Sequence, residues 1–133
     1  MSKDRLMEIY RDYSKAVIKL GEALKTDVSN DIVYDAAIQR FEFTYELAWK
    51  LMKAYLQFCG RADVNSPRAA FKEAFAAGLV TDGESWINMI EDRNLTVHTY
   101  DEKMAIEIFG RIKDKYFSCF HDFSSRMEKV MAE

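Results

Sequence analysis

Apolar residues return every three or four positions through almost the whole chain, and only one proline and five glycines interrupt them. That spacing is the period of one face of an α-helix, and so few breakers leave room for few turns. No stretch alternates apolar and polar in the period of a strand, and no internal repeat is found. The pattern predicts an all-α fold: an up-and-down four-helix bundle with one additional short helix. A chain of 133 residues that is 49% apolar is expected to form a single domain over residues 1–133 and to bury its core without staples.

The first helix is predicted from Ser2 to about Lys25, with Leu6, Ile9, Tyr10, Tyr13, Val17, Leu20 and Leu24 on one narrow stripe. Residues 26–30 connect it to a second helix over Asp31–Cys59, stopped by Gly60. That helix carries two stripes, one of Phe41, Tyr45, Ala48, Met52, Tyr55 and Cys59, the other of Phe43, Leu47, Leu51, Ala54 and Phe58. A helix apolar on two sides needs two partners, so it is either central in the bundle or shared with a second subunit. Ser66-Pro67 opens a short helix that ends at Gly78, and Thr81 to Glu84 has the form of a capping box for the next. The fourth helix is anchored by Trp86, Ile87, Met89 and Ile90, but Glu91, Asp92, Arg93, Asn94 and His98 then replace its apolar positions. After a break at 99–101, with Tyr100 or Asp101 as cap, the last helix runs through Ala105, Ile108, Phe109, Ile112, Tyr116, Cys119, Phe120, Phe123, Met127 and Val130.

The net charge of −3 argues against coating nucleic acid by bulk electrostatics, and leaves room for a local basic site. Cys59 and Cys119 lie in apolar stripes without a Cys-x-x-Cys, which reads as buried free thiols in a reducing compartment. No apolar run has the length of a signal peptide or a bilayer span, so a cytoplasmic protein is expected. Two distant histidines without clustered cysteines predict no zinc site, and neither a metal nor a cofactor is expected. There is no Gly-rich phosphate loop and no paired acidic motif for nucleotidyl transfer, so the chain is not itself a nucleotidyltransferase.

Chemistry concentrates in Arg93-Asn94-Leu95-Thr96-Val97-His98-Thr99-Tyr100. A histidine near its ordinary pKa can act as acid or base at cell pH, and a guanidinium can stabilise charge at phosphorus. Together they suffice for RNA cleavage by attack of the 2′-hydroxyl. The other reading is plainer: an arginine and a histidine near a helix C-terminus cap carbonyls and favour the dipole. Asn94 and His98 share a face, whereas Arg93 lies about 140° round the axis from His98 on an ideal helix. Convergence then needs a swinging arginine, an unwound helix end, or copies from two subunits. Glu42, Glu46 and Lys50 form an i, i+4 ladder that is either a solvated face or the wall of a groove facing Arg93–His98. Trp49 and Trp86 read as core anchors, and His121 as a surface or boundary residue.

Beyond these local readings, several segments in order resemble the nucleotidyltransferase substrate-binding protein family, part of the larger group of HEPN domains. They are 41–50 (Phe-Glu-Phe-Thr-Tyr-Glu-Leu-Ala-Trp-Lys), Ser66-Pro67-Arg68, 74–80 (Ala-Phe-Ala-Ala-Gly-Leu-Val), Trp86, and Arg93 to Asp101. The likeness runs from about residue 5 to residue 125. Each segment alone is weakly specific; their ordered occurrence is strong. The resemblance implies a bundle that pairs into a homodimer and works with a separate minimal nucleotidyltransferase, for which it binds substrate. In related HEPN toxins, Arg-x4-His is a metal-independent ribonuclease site at the dimer interface. There the paired transferase is an antitoxin that adenylylates the tyrosine of Arg-x4-His-x-Tyr. The matching residues here are Arg93, His98 and Tyr100, with Asn94 the usual polar neighbour.

Overall fold

The structure, a computed structural model, describes residues 2–26, 31–61, 63–98 and 101–133, with the side chains of Asp31 and His98 outside the description. Its elements are α1 (Lys3–Lys25), α2 (Asp31–Phe58), α3 (Pro67–Ala76), α4 (Gly83–His98), α5 (Glu102–Arg111), a π-helical turn (Ile112–Tyr116) and α6 (Phe117–Ala132). The last three are contiguous and make one long helix. No strand occurs among the described residues, and no helix among them is long and apolar enough to cross a membrane.

Local chemistry sets most boundaries. The Ser2 and Ser66 hydroxyls accept from the backbone N–H groups of Arg5 and Ala69, and Pro67 takes the first helical position of α3. Gly60 and Gly78, with φ of +85° and +77°, end α2 and α3 in the left-handed conformation. Arg61 and Leu79 then donate back to the carbonyls of Leu56 and Ala74 in Schellman geometry. Asp101 caps α5 through the Met104 N–H. The cap of α4 differs from the sequence expectation by one residue. Asp82, not Thr81, accepts from the Ser85 N–H at 3.1 Å and from its hydroxyl at 2.7 Å. Aspartate and threonine are both good caps, and the carboxylate can take two donors from Ser85 at once.

Paired contacts fix the directions. Tyr34 meets Phe109, and Phe41 meets Tyr116 and Phe120, so α2 runs parallel to the long last helix. Ser14 lies against Ser124, and a Cβ at Gly21 would stand 3.0 Å from the Phe117 ring, so α1 runs against that helix. Trp86 packs on Phe120 and Phe123 while Asp92 reaches Arg111, so α4 also runs against it. This is the up-and-down succession, with α3 as the extra short helix.

The core gathers Tyr13, Leu20, Phe41, Met52, Phe71, Trp86, Phe120 and Phe123, and Tyr13 gives its hydroxyl to the Phe120 carbonyl at 2.6 Å. The first apolar stripe of α2 enters this core as far as Met52. Of the second, Leu51 and Ala54 are buried, but Phe43 is 61% exposed and Phe58 is also outside. Cys59 corrects the sequence reading. It follows the end of α2 and is exposed, whereas Cys119 is buried as expected.

Candidate functional site

The second half of α4 is held on two sides. Toward α2, the Arg93 guanidinium lies between two carboxylates, its Nε 3.9 Å from Glu42 and its terminal nitrogen 3.9 Å from Glu46. These separations are ion pairs and too long for hydrogen bonds, and the buried Nε has no hydrogen-bond partner. A donor so placed is under-satisfied, since buried polar groups are normally bonded. Glu46 also accepts from the indole N–H of Trp49 at 3.0 Å. Below them lies the buried Tyr45. Burial pushes its phenol up to about 12, with Glu46 adding to the rise and Arg93 and Arg68 opposing it.

Toward the long last helix, Asp92 is buried and accepts three hydrogen bonds. Arg111 donates two, at 2.7 and 2.8 Å, and the Tyr116 hydroxyl donates one at 2.5 Å. Burial, then the bond to Asp92, hold the Tyr116 phenol far above its ordinary value, and the same carboxylate raises Arg111. Between these two sides the Thr96 hydroxyl donates to the Arg93 carbonyl at 2.7 Å, occupying an acceptor near the helix end.

The sequence-predicted residues divide accordingly. Arg93, Glu42 and Glu46 come together. Lys50 is exposed and, among the described residues, makes no ion pair, so the ladder on α2 is directed at Arg93 and not along its own helix. Asn94 is exposed on α4. His98 ends α4; its side chain, and Thr99 and Tyr100 entirely, lie outside the described residues. Trp86 is a core anchor, Trp49 is half-buried at the edge of the site, and His121 is exposed.

Sequence reasoning missed Asp92, Arg111, Tyr116 and the basic contribution of Arg68. A signal was present: Ser85, Met89 and Asp92 step by four and three in the core register of α4, which places an acid where a core residue belongs.

Concavities of about 410 and 710 Å³ open around the other end of α4, near Asp82 and Asn88, and Arg93 lines neither. Among the described residues no group of three or more His, Cys, Asp or Glu side chains is placed to hold a metal ion. What the arrangement offers is a partly exposed guanidinium that is hydrogen-bonded to neither flanking carboxylate, and the terminal nitrogens of such a group suit a phosphate.

Residues 8–129 match the family described as "Nucleotidyltransferase substrate binding protein like". A protein of Haemophilus influenzae named probable ribonuclease HepT is 33% identical over 108 residues, covering 75% of this chain and 74% of its own. The structure of HI0074, also from that organism and described as the fold of a substrate binding domain of a nucleotidyltransferase, is similar with a TM-score of 0.68. It is 25% identical over 96% of this chain and 99% of that one. A chain in the crystal structure of a mutant toxin–antitoxin MntA-HpeT gives a TM-score of 0.77, covering 95% of this chain and 98% of that one. At 14% identity the likeness is one of fold.

Proposed function

The chain belongs to the nucleotidyltransferase substrate-binding protein family, and we propose that it is the substrate-binding, regulatory subunit of a two-component complex with a separate minimal nucleotidyltransferase. In this reading the domain pairs with a second copy in the cytoplasm and presents the end of α4, with Tyr100, to the transferase. The Tyr100 oxygen attacks the α-phosphorus of ATP, its proton leaves, and pyrophosphate departs, leaving AMP on the tyrosine. The observation that carries the reading is the partly exposed Arg93 guanidinium, 3.9 Å from Glu42 and from Glu46 and hydrogen-bonded to neither, seven residues before Tyr100 in the chain. Its terminal nitrogens are the phosphate receptor in this reading, with Asn94 exposed next to it and Lys50 exposed on α2. Co-expression with the transferase should give a complex that co-purifies and a mass increase in steps of one AMP, absent from Tyr100→Phe. A pair that neither co-purifies nor transfers AMP overturns it.

A second reading is a metal-independent ribonuclease toxin that the transferase neutralises. It is favoured by the relative named probable ribonuclease HepT. Arg93 turns toward α2 and lies five residues before His98 in the chain. In this reading copies from two subunits complete the site, with His98 moving the proton of the 2′-hydroxyl and Arg93 stabilising the phosphorane. Expression of the chain alone should then arrest growth, and His98→Ala should relieve the arrest. Equal growth of the two strains overturns this reading.

A further inference from the structure

Arg111 and Tyr116 are five residues apart, the same interval as Arg93 and His98. On a regular α-helix that interval turns two side chains about 140° apart. Here both reach the one carboxylate of Asp92, because the segment between them is a π-helical turn whose bonds run five residues, as from the Phe117 N–H to the Ile112 carbonyl. The wider turn brings residue i+5 back toward the face of residue i, and Arg111 and Tyr116 lie at its two ends. Its sequence cause is the apolar stripe, which steps by four from Ile108 to Ile112, Tyr116 and Phe120, all buried. Each step of four overshoots a full α-helical turn by about 40°, and one wider turn absorbs the drift.

The three-residue cluster is directed at the residue next to the candidate site. Asp92 precedes Arg93 and fastens α4 to the long helix, while Arg93 faces a different neighbour, Glu42 and Glu46 on α2. A helix held on one side by three charge-assisted bonds cannot rotate on the other. We infer that Asp92, clamped by Arg111 and Tyr116 across the π-helical turn, is the positioning residue that sets where the Arg93 guanidinium stands. The inference deepens the reading of Arg93 as the phosphate receptor, but it concerns a geometry that is measurable without any activity.

Trp49 is the reporter. Its indole N–H is bonded to Glu46, the carboxylate facing Arg93, whereas Trp86 lies in the core. The test records the two indole N–H signals by NMR in the full-length wild-type chain, Arg93→Gln, Asp92→Asn and the milder Tyr116→Phe. Arg93→Gln should move the Trp49 signal, and both clamp variants should move it in the same direction while the Trp86 signal stays within a linewidth. A Trp49 signal that ignores the clamp variants, or ignores Arg93→Gln, overturns the inference. Equal movement of both signals does so too, because that would be general loosening of the core. In parallel, RNA cleavage by the clamp variants should lose about tenfold in kcat with KM within about twofold, the split expected when a group is misplaced and not removed. An inactive wild type would sink the ribonuclease reading alone, since the Trp49 signal still decides the clamp.

Discussion

Glu46 stands 3.9 Å from the Arg93 guanidinium without hydrogen-bonding it, so the carboxylate competes with any phosphate that approaches. Glu46→Gln removes that competing charge and retains an amide oxygen for the Trp49 indole. A half-exposed ion pair contributes ~0.2–1 kcal/mol, which corresponds to binding tighter by roughly 1.5- to fivefold for a short RNA, with thermal stability almost unchanged. Fluorescence anisotropy of a labelled oligonucleotide at several salt concentrations checks this. Weaker binding by the variant would mean that Glu46 touches the ligand itself.

Tyr13, Tyr45 and Tyr116 all ionise above the ordinary value of 10.0 in the folded chain, chiefly through burial, and Tyr45 only at about 12. Above pH 10 the unfolded chain loses these protons while the folded chain keeps them. The unfolded state then binds fewer protons, and stability falls as pH rises through about 10 toward 12. The urea midpoint should therefore drop between about pH 8.5 and about pH 10.5, and drop less in Tyr45→Phe, which has no phenol to ionise. An equal drop in both would show that Tyr45 does not contribute.

Asp82 supports the start of α4 through two bonds to Ser85, and these bonds lower its pKa below the ordinary 3.8. Asp82→Ala should cost about 1 kcal/mol, a usual figure for a lost N-cap. The loss should be full above pH 4 and shrink as pH falls through the lowered pKa, because the wild-type carboxylate is then protonated too. Chemical denaturation of both proteins at neutral and acid pH measures it. A difference that does not vary with pH would mean that the carboxylate's charge plays no part.

Much of this architecture was legible because helix signals are local. Ser66-Pro67, Gly60, Gly78 and Asp101 act on bonds a few residues away, and the stripes of α1 and the long helix turn inward as their spacing implies. The direction of Glu42 and Glu46 toward Arg93 was one of two readings left open by their spacing, since a surface ladder and a groove wall have the same period. The clamp was hidden for a different reason. Asp92, Arg111 and Tyr116 belong to two helices, and their meeting depends on a π-helical turn that no single residue announces. The stripe through Phe43 and Phe58 left two readings open, central in the bundle or shared with a second subunit, because periodicity finds an apolar face without saying what covers it. Cys59 was misplaced because the helix stops one residue before it.

The two cysteines should separate cleanly in reactivity. Cys119 is buried, and that burial, with Asp82 next in effect, pushes its thiol up to about 11, whereas Cys59 is exposed. The thiolate is the reactive form, so iodoacetamide at about pH 8 should label Cys59 in the native chain and leave Cys119 unmodified until denaturant is added. Peptide mass mapping reads the result. Early labelling of Cys119 would mean that the contact between α4 and α6 opens far more readily than its packing implies.

The outer face of α2 carries the prediction that bears most on the shared-site reading. Phe43 is 61% exposed, and half-buried Leu47 lies one turn on, so the helix shows an apolar strip away from its own core. Such a strip fits a second copy of the same chain, which the paired Arg93–His98 reading requires. In a two-fold interface each substitution acts twice. Removing two phenylalanine rings at ~1.5 kcal/mol or more each weakens the dimer by about 3 kcal/mol, near a hundredfold in dissociation constant. Phe43→Glu should therefore sediment as a monomer at concentrations where the wild type is a dimer, with an unchanged circular dichroism spectrum because the residue lies outside the core. A variant that dimerises like the wild type would place the interface elsewhere. A monomeric wild type would remove the paired Arg93–His98 site altogether, and growth arrest, if still seen, would then need a site completed within one subunit.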